Sequence, residues 1–276
     1  MQSHAYKRII LTRPRVQNLK LKNKLDKLMQ ENGMQIPMVL LPLLEIVPLV
    51  DQQLAVSLHQ ALSQADWVSF VSSNAFLMAN TLLQQFGFSW PKGLKIAVVG
   101  GGSEQSIRDS GLDYALMVKP ENNTAWDSEG LWQALNQVQT NWQHSRVVMV
   151  HGDGGRTFLT DHLQSAGAQV TEFAVYQRLA LPVDDSAWLD LLGTPPGYQV
   201  QADVWMFSSS QAAQSLAHGS KQLSVPNHFL ENSLAFVSHP RIEESVLELG
   251  FKEVRMILPG DDELFRSLAQ VFQTGL

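Results

Sequence analysis

The sequence predicts an α/β protein in which two similar parallel-sheet domains are joined by a two-stranded connector, with an active-site cleft between them. The main observation is that ADWVSFVSSNA, residues 65–75, returns as ADVWMFSSSQA, residues 202–212. Each stretch reads as a buried strand ending in small polar residues that can cap the next helix. Further paired segments occur in the same order along the chain. The length of 276 residues, of which 45% are hydrophobic and 17% charged, suits two globular domains.

The first pair of segments covers the start of each predicted repeat. Residues 7–37 read as a strand, a polar turn, a helix with a leucine face and a stop at Gly33. Residues 145–173 have the same order, and Gly167 ends the helix. We therefore expect a strand and a helix at the beginning of both repeats.

The later pairs follow the serine-rich turns. Residues 94–113 and 234–253 both read as strand, turn, helix and a closing glycine, while 129–138 and 262–271 match at leucine, aromatic, glutamine and valine positions. Any doubly wound α/β protein resembles itself to some degree. Four pairs in one order nevertheless favour an internal duplication with five strands in each domain.

Two apolar segments at equivalent places, residues 37–50 and 170–183, are too long for simple loops. Both contain prolines, which favour sheet edges or extended crossovers over central strands. We interpret them as paired connectors. The predicted boundaries are 1–40 plus 180–276 for a discontinuous domain, 45–173 for an inserted continuous domain, and about 38–48 and 173–182 for the connectors.

Composition excludes several classes of function. The chain has no cysteine, which rules out disulfides, thiolate catalysis and cysteine-bound metals, and we expect no metal site. The net charge of −6 argues against nucleic-acid binding, since the lysine-rich residues 20–27 read as one solvated helix face. The sequence shows neither a membrane span nor an apolar signal core in MQSHAYKRII. We therefore expect a cytoplasmic protein without a membrane partner.

The predicted chemistry lies in the turns that follow the strands, because ligands of parallel sheets bind at the carboxyl ends of the strands. Small residues there leave helix N-terminal N–H groups open to an anion. Each turn alone is better explained by helix capping, but the turns together predict a polyanion site. The candidate binding residues are Thr12, Arg13, Ser72, Ser73, Asn74, Gly101, Ser103, Arg156, Ser208, Ser209 and Ser238.

These motifs, in this order, resemble those of the uroporphyrinogen-III synthase family. The motifs are ILTRP, FVSSNA, VVGGGS, SEGL, HGDGGR followed by AGAQVTEFAVYQR, and FSSSQA. The resemblance covers residues 8 to about 271, and its most specific part is Gly-Gly-Arg leading to Val-Tyr-Gln-Arg. It implies a two-domain fold with a two-stranded connector and an enzyme that uses no metal or organic cofactor.

The resemblance also implies the reaction. Members of the family cyclise hydroxymethylbilane, a linear tetrapyrrole with eight carboxylates, and invert its terminal ring. Loss of the hydroxyl gives an azafulvene, attack gives a spiro intermediate, and fragmentation with recombination gives uroporphyrinogen III and water. Unassisted cyclisation gives the uninverted isomer, so orientation of the substrate should contribute more than acid catalysis.

The resemblance assigns roles to individual residues. Tyr176 matches the family tyrosine and is the candidate for assisting departure of the hydroxyl, because a phenol ordinarily stays protonated at neutral pH. Packing of Tyr176 against the connector is the alternative. Arg13 and Arg156 are expected to bind substrate carboxylates as forked pairs, with surface ion pairs as the alternative. The turn at Val71 and the dipeptide of His239 and Pro240 depart from the family pattern and put the matching contacts in doubt.

Other functions remain as alternatives. The VVGGGSEQS turn suggests a nucleotide enzyme, but the third glycine of the dinucleotide fingerprint is missing. No Gly-x-Ser-x-Gly motif supports a serine hydrolase. A non-enzymatic two-lobed protein that binds or senses an anionic small molecule is the main alternative. We expect a monomer whose partner is its small-molecule substrate, and transient contact with neighbouring pathway enzymes is left open.

Overall fold

A computed structural model describes residues 6–120, 127–154, 157–192, 202–258 and 260–274. The chain divides into two compact units. The first unit comprises Met1–Glu45 and Leu179–Leu276, and the second unit is the continuous segment Ile46–Arg178. Each unit contains its own sheet flanked by helices.

The second unit holds most of a sheet of six strands, in the order β3-β8-β7-β4-β5-β6 among the described residues, and β3 and β8 each extend two residues beyond the ends of the unit. The strands are β3 (Leu44–Pro48), β4 (Trp67–Phe70), β5 (Leu94–Val98), β6 (Tyr114–Val118), β7 (Arg146–Gly152) and β8 (Gln169–Ala180). The helices are α2 (Gln52–Gln64), α3 (Ser73–Gln85), α4 (Gly101–Ser110), α5 (Ser128–Val138) and α6 (Phe158–Ser165). The pairings from β8 through to β6 are all parallel.

The first unit contains a parallel sheet of five strands in the order β11-β10-β9-β1-β2 in the part that the structure describes. The strands are β1 (Ile9–Leu11), β2 (Met38–Leu40), β9 (Val204–Phe207), β10 (Leu234–Val237) and β11 (Glu253–Met256). The helices are α1 (Arg15–Glu31), α7 (Ser186–Leu192), α8 (Ser210–Gln222), α9 (Pro240–Glu248) and α10 (Asp261–Thr274), with a 3₁₀ turn at Asn227–Leu230. The prediction of an α/β fold with parallel sheets is confirmed.

Helix endings follow the sequence signals. Gly33 and Gly167 have φ values of +68° and +96°, in the left-handed region that favours glycine, and each follows a helix as predicted. Asp51 and Asp127 accept hydrogen bonds from the backbone N–H of the third residue of α2 and of α5, respectively. Local residue chemistry therefore accounts for these boundaries.

The two sheets share one strand order. When β2-β1-β9-β10-β11 is placed beside β8-β7-β4-β5-β6, the strands align for the three segment pairs that contain strands, and the fourth pair corresponds to the helices α5 and α10. Each sheet therefore combines two strands from one predicted repeat with three from the other. The duplication itself stays a prediction.

The second sheet differs from the expected five strands. The segment 37–50 contains two short strands, β2 in the first sheet and β3 in the second, and its role as a connector stays a prediction. Both are edge strands, as their prolines predict, and β3 lies beside β8. The sixth strand of the second sheet is therefore β3.

The core of each unit lies on both faces of its sheet. In the second unit, Phe70, Ile96 and Val150 pack on one face, while Met149 and Leu159 belong to the cluster on the other. The central strands β4, β9 and β10 are buried along their whole length. Continuous burial is typical of parallel strands covered by helices on both sides, which leaves the strand ends for function. Among the helices described, none is long and apolar enough to cross a membrane.

Candidate functional site

Tyr176 lies in the second half of β8, beside the carboxyl end of β7, and it is fully buried. The register of β7 against β8 shifts after His151, so that Gly152 is paired with Tyr176 rather than with Val175. In a regular strand neighbouring side chains point to opposite faces, and an irregularity of this kind redirects one of them. Val175 and Tyr176 consequently belong to the same buried cluster.

The Tyr176 hydroxyl belongs to a polar group that we call the Tyr176 network, formed by Tyr176, Ser72 and Arg178. The Tyr176 Oη atom lies 3.2 Å from Ser72 Oγ and accepts a hydrogen bond of 3.0 Å from Arg178 Nη2. The centre of the guanidinium also lies 5.3 Å from the centroid of the tyrosine ring, within cation–π range. Ser72 Oγ in turn accepts a hydrogen bond of 3.1 Å from the N–H of Ala75 and caps α3. The network thus joins a helix N-terminus to a cation through one phenol.

Gly152 makes room for the ring of Tyr176. A Cβ atom at position 152 would lie 2.4 Å from both Cε2 and Cζ of Tyr176, a distance that real Cβ atoms essentially never show. The adjacent Asp153 N–H donates to the Tyr176 carbonyl at 2.8 Å, which fixes the backbone around the ring. A side chain larger than hydrogen at position 152 is therefore incompatible with this position of the ring.

The starts of α3 and α4 lie side by side in the second unit. A Cβ atom at Gly102 would be 2.9 Å from Ser73 Oγ, so the two first turns are in contact. Asn74 and Gly101 are partly buried in these turns, and Ser103 is buried. The N-terminus of a helix concentrates backbone N–H groups at the positive end of its dipole, so two such ends at one sheet edge suit an anion.

An acidic side chain also lies in the first turn of α4. Glu104 pairs with Lys119 and, at 2.9 Å, with Arg108. The Lys119 hydrogen bond, helped by Arg108 and partly opposed by burial, lowers the pKa of Glu104. Glu104 is thus ionised and neutralised within the unit.

Two predicted residues of the first unit are already engaged by side-chain contacts. The buried Thr12 hydroxyl donates to the Met206 carbonyl, and Arg13 Nη1 donates to Asp261 at 2.8 Å. The side chains of Arg13 and Asp261 are 20% and 33% exposed, so this ion pair is partly shielded from water. The guanidinium keeps further N–H groups for a second partner. Substrate binding by Thr12 and Arg13 stays a prediction.

The serine turns of the first unit are open to solvent to different degrees. Ser208 is exposed, while Ser209 and Ser238 are partly buried at the starts of α8 and α9. His239 caps α9, because its Nδ1 atom accepts a hydrogen bond of 3.1 Å from the N–H of Arg241. The departure from the family pattern at position 239 therefore retains the cap by another side chain.

Sequence reasoning missed two residues of the Tyr176 network and its surroundings. Arg178 is two positions after Tyr176, a spacing that puts two strand side chains on one face and could have identified it. The need for glycine at position 152 depends on the shifted register and has no local signal. Arg156, predicted to bind a carboxylate, lies outside the described residues.

No group of three metal-ligating side chains occurs among the residues that the structure describes. The described polar groups at the two sheet edges include hydroxyls, backbone N–H groups and guanidinium groups, together with carboxylates such as Glu104 that are already paired with cations. Such donors suit a ligand with several carboxylates.

Comparisons with known proteins identify similar chains. The family model described as uroporphyrinogen-III synthase HemD matches residues 23–256. The chain is 28% identical over 233 residues to the uroporphyrinogen-III synthase of Escherichia coli (strain K12), an alignment that covers 82% of this chain and 88% of that one. It is 29% identical over 138 residues to the Proteus mirabilis enzyme, which covers 50% of this chain and 66% of the relative.

Solved structures agree in fold. A mutant uroporphyrinogen III synthase from Thermus thermophilus superposes with a TM-score of 0.59 at 14% identity, covering 97% of this chain and 99% of that one. The Helicobacter pylori protein gives a TM-score of 0.58 at 14% identity, covering 95% and 99%. At this level of identity the likeness concerns the two-domain α/β fold.

Proposed function

Since this chain belongs to the uroporphyrinogen-III synthase family, we infer that it cyclises hydroxymethylbilane to uroporphyrinogen III with inversion of the terminal ring and loss of water. The observation that carries this conclusion is the family match over residues 23–256, most of the chain. The protein is therefore a lyase-type enzyme of tetrapyrrole synthesis.

We propose that the substrate carboxylates bind to the turns at the carboxyl ends of the strands. The first turns of α3 and α4 offer backbone N–H groups in the second unit, and the serine turns before α8 and α9 offer hydroxyls in the first. Hydrogen bonds to charged groups contribute about 1.5–3 kcal/mol each, so several are enough to bind an octa-acid. These local donors have to outweigh the protein's own net charge of −6.

We propose that Tyr176 is the source of the proton that assists departure of the substrate hydroxyl. The support is its hydroxyl, which belongs to a hydrogen-bonded group at the sheet edge instead of being surrounded only by apolar side chains. Removal of one general acid lowers a rate by about 10²–10⁴-fold. Alignment of the two ends of the linear tetrapyrrole substrate should account for the larger part of the rate enhancement.

To test this function, the purified protein is incubated with freshly generated hydroxymethylbilane, and the product isomers are separated by chromatography. We expect isomer III from the wild-type protein, and exclusive formation of isomer I would overturn the assignment. Y176F should lower kcat by about 10²-fold or more. The matched control is Y114F, because Tyr114 is also in the second unit but its hydroxyl contacts Arg108. An unchanged rate in Y176F would assign Tyr176 to packing alone.

The alternative of a binding or sensor protein makes a different prediction in the same assay. It requires tight binding of the tetrapyrrole without turnover.

We further propose that the enzyme is a cytoplasmic monomer. Light scattering of the purified protein will test the oligomeric state, and fractionation of cells will test the location.

A further inference from the structure

We propose that Arg178 is a positioning residue that directs the Tyr176 proton to Ser72, and that the Ser72 hydroxyl is the group that reaches the substrate. This inference rests on the proposed function. It adds a residue with no assigned role, Arg178, and it changes which hydroxyl touches the leaving group.

The direction of the proton follows from what each partner of Tyr176 can do. A guanidinium has only N–H groups and accepts no hydrogen bond, so Arg178 Nη2 donates to the phenol oxygen. The other partner, Ser72 Oγ at 3.2 Å, has acceptor capacity. Since a buried O–H needs an acceptor, the Tyr176 proton points to Ser72.

The state of the Ser72 hydroxyl follows in the same way. Its oxygen receives the Ala75 N–H and the Tyr176 O–H, which together use its two lone pairs. Its own hydrogen is then available to a third group. Ser72 is partly exposed, whereas Tyr176 is fully buried. Of the two hydroxyls, Ser72 is therefore the one that a substrate can reach.

Arg178 differs from Arg8 and Arg13 in what its guanidinium faces. Arg8 and Arg13 each pair with a carboxylate, but in the described part of the chain Arg178 has no ion-pair partner within 4.0 Å. Its charge lies beside the phenol oxygen and, at 5.3 Å from the centroid, over the phenol ring. A cation in this position stabilises negative charge that develops on the oxygen.

The proton transfer balances over the whole reaction. The carbon–oxygen bond of the substrate breaks, and the leaving oxygen takes the Ser72 proton and departs as water. Ser72 receives the proton of Tyr176, whose oxygen is then negatively charged beside Arg178. When the ring closes, a pyrrole carbon loses its proton, and the same two hydroxyls return this proton to Tyr176.

A double-mutant cycle tests the link between Arg178 and Tyr176. We expect Y176F to lower kcat for isomer III by about 10²-fold and R178M by about 10-fold, with KM changed less than about 2-fold. In the Y176F background, R178M should cost less than about a further 2-fold, because there is no phenol proton left to direct. R178K, which keeps a charged donor, should recover most of the rate lost in R178M.

Proton transfer from Ser72 to the substrate is tested separately with S72G, since glycine is nearly as good a helix cap as serine. We expect S72G to lower kcat about as much as Y176F, and S72T, which keeps the hydroxyl, to remain within about 3-fold of wild type. The control R146M removes an exposed arginine at the opposite end of β7 and should leave kcat unchanged. Circular dichroism of each variant identifies any that fail to fold.

These experiments distinguish failure of the roles assigned to Arg178 and Ser72 from failure of the proposed function. If R178M raises KM and its effect is the same with and without the tyrosine hydroxyl, Arg178 binds the substrate directly and the positioning role is refuted. If S72G keeps the wild-type kcat, the route through Ser72 is refuted. In both cases a wild-type protein that still forms isomer III leaves the proposed function standing.

Discussion

Replacement of Gly152 by alanine should impair catalysis much more than folding. Ordinary van der Waals contacts of a Cβ atom begin at 3.4 Å, but the added methyl group would lie 2.4 Å from two ring carbons of Tyr176. The ring therefore has to move by about 1 Å, since overpacked cores respond by shifts of side chains and backbone. Such a shift breaks the contacts of 3.2 Å and 3.0 Å to Ser72 and Arg178.

The magnitudes follow from that displacement. A misplacement of about 1 Å in an active site can cost about 10²-fold in rate, which is the loss of kcat that we expect for G152A. Overpacking costs about 1–3 kcal/mol in stability, and each kcal/mol lowers the melting temperature by about 2–4 °C in a protein of this size. Isomer-resolved kinetics and thermal unfolding measure the two effects.

The chain offers a matched control in Gly219. A Cβ atom there would lie 2.3 Å from the ring of Trp188, a similar overlap within the core of the first unit. G219A should lose stability, offset by about 1 kcal/mol because alanine favours the helix α8, and should keep its kcat per folded molecule. A G152A protein with normal kcat, or a G219A protein that loses as much, would refute the reasoning.

Two further predictions concern ionisable groups in the first unit. Burial raises the pKa of Asp203 and the hydrogen bond from Arg8 opposes this rise, so R8M should cost about 3–5 kcal/mol at neutral pH. An acid whose pKa is raised by folding contributes stability that is complete below its unfolded-state pKa and is lost as pH rises through its folded-state pKa. The loss of stability caused by R8M, measured by urea unfolding, should therefore be smaller at pH 5 than at neutral pH. An equal loss at both pH values would contradict this prediction. Burial and then the Glu253 hydrogen bond raise the pKa of Tyr6 to about 12, and E253Q should lower it in an ultraviolet titration read against Y6F. By the same linkage, the stabilisation that comes from the raised pKa of Tyr6 is complete below pH about 10 and is lost as pH rises through about 12. If Tyr6 titrates at the same pH in E253Q as in the wild type, the contribution of Glu253 is refuted.

Much of the fold could be predicted because its signals are local. The buried strands β4 and β9 are apolar throughout, and Gly33 and Gly167 adopt left-handed backbone where a helix must stop. The expectation of five strands was wrong for the second sheet, which has six in the described part of the chain, because a proline-containing apolar run such as 37–50 is compatible with one crossover or with two edge strands. Only the pairing partners, which are distant in sequence, decide between them.

The candidate site could be predicted only in part. Ser72 and Tyr176 were identified from the turn and from the family resemblance, and the structure brings their hydroxyls within 3.2 Å. The need for glycine at position 152 arises from the register shift after His151, a property of two paired strands that neither strand carries alone. For Thr12 the structure adds a contact that the turn alone does not reveal, since the buried hydroxyl donates to the Met206 carbonyl, and substrate binding by Thr12 stays a prediction.

The continuity of the second unit has a consequence for biosynthesis. Its residues, Ile46–Arg178, leave the ribosome as one stretch, so this unit can acquire its sheet and the Tyr176 network while translation continues. The first unit has to wait, because Arg8 beside β1 bonds to Asp203, 195 positions later. Until then the nascent strand β1 lacks its neighbour β9 and leaves an apolar edge open to the wrong pairing. Premature termination after Arg178 should therefore release a polypeptide in which the second unit is folded and the apolar strand β1 is unpaired. We expect chaperones to bind such a polypeptide.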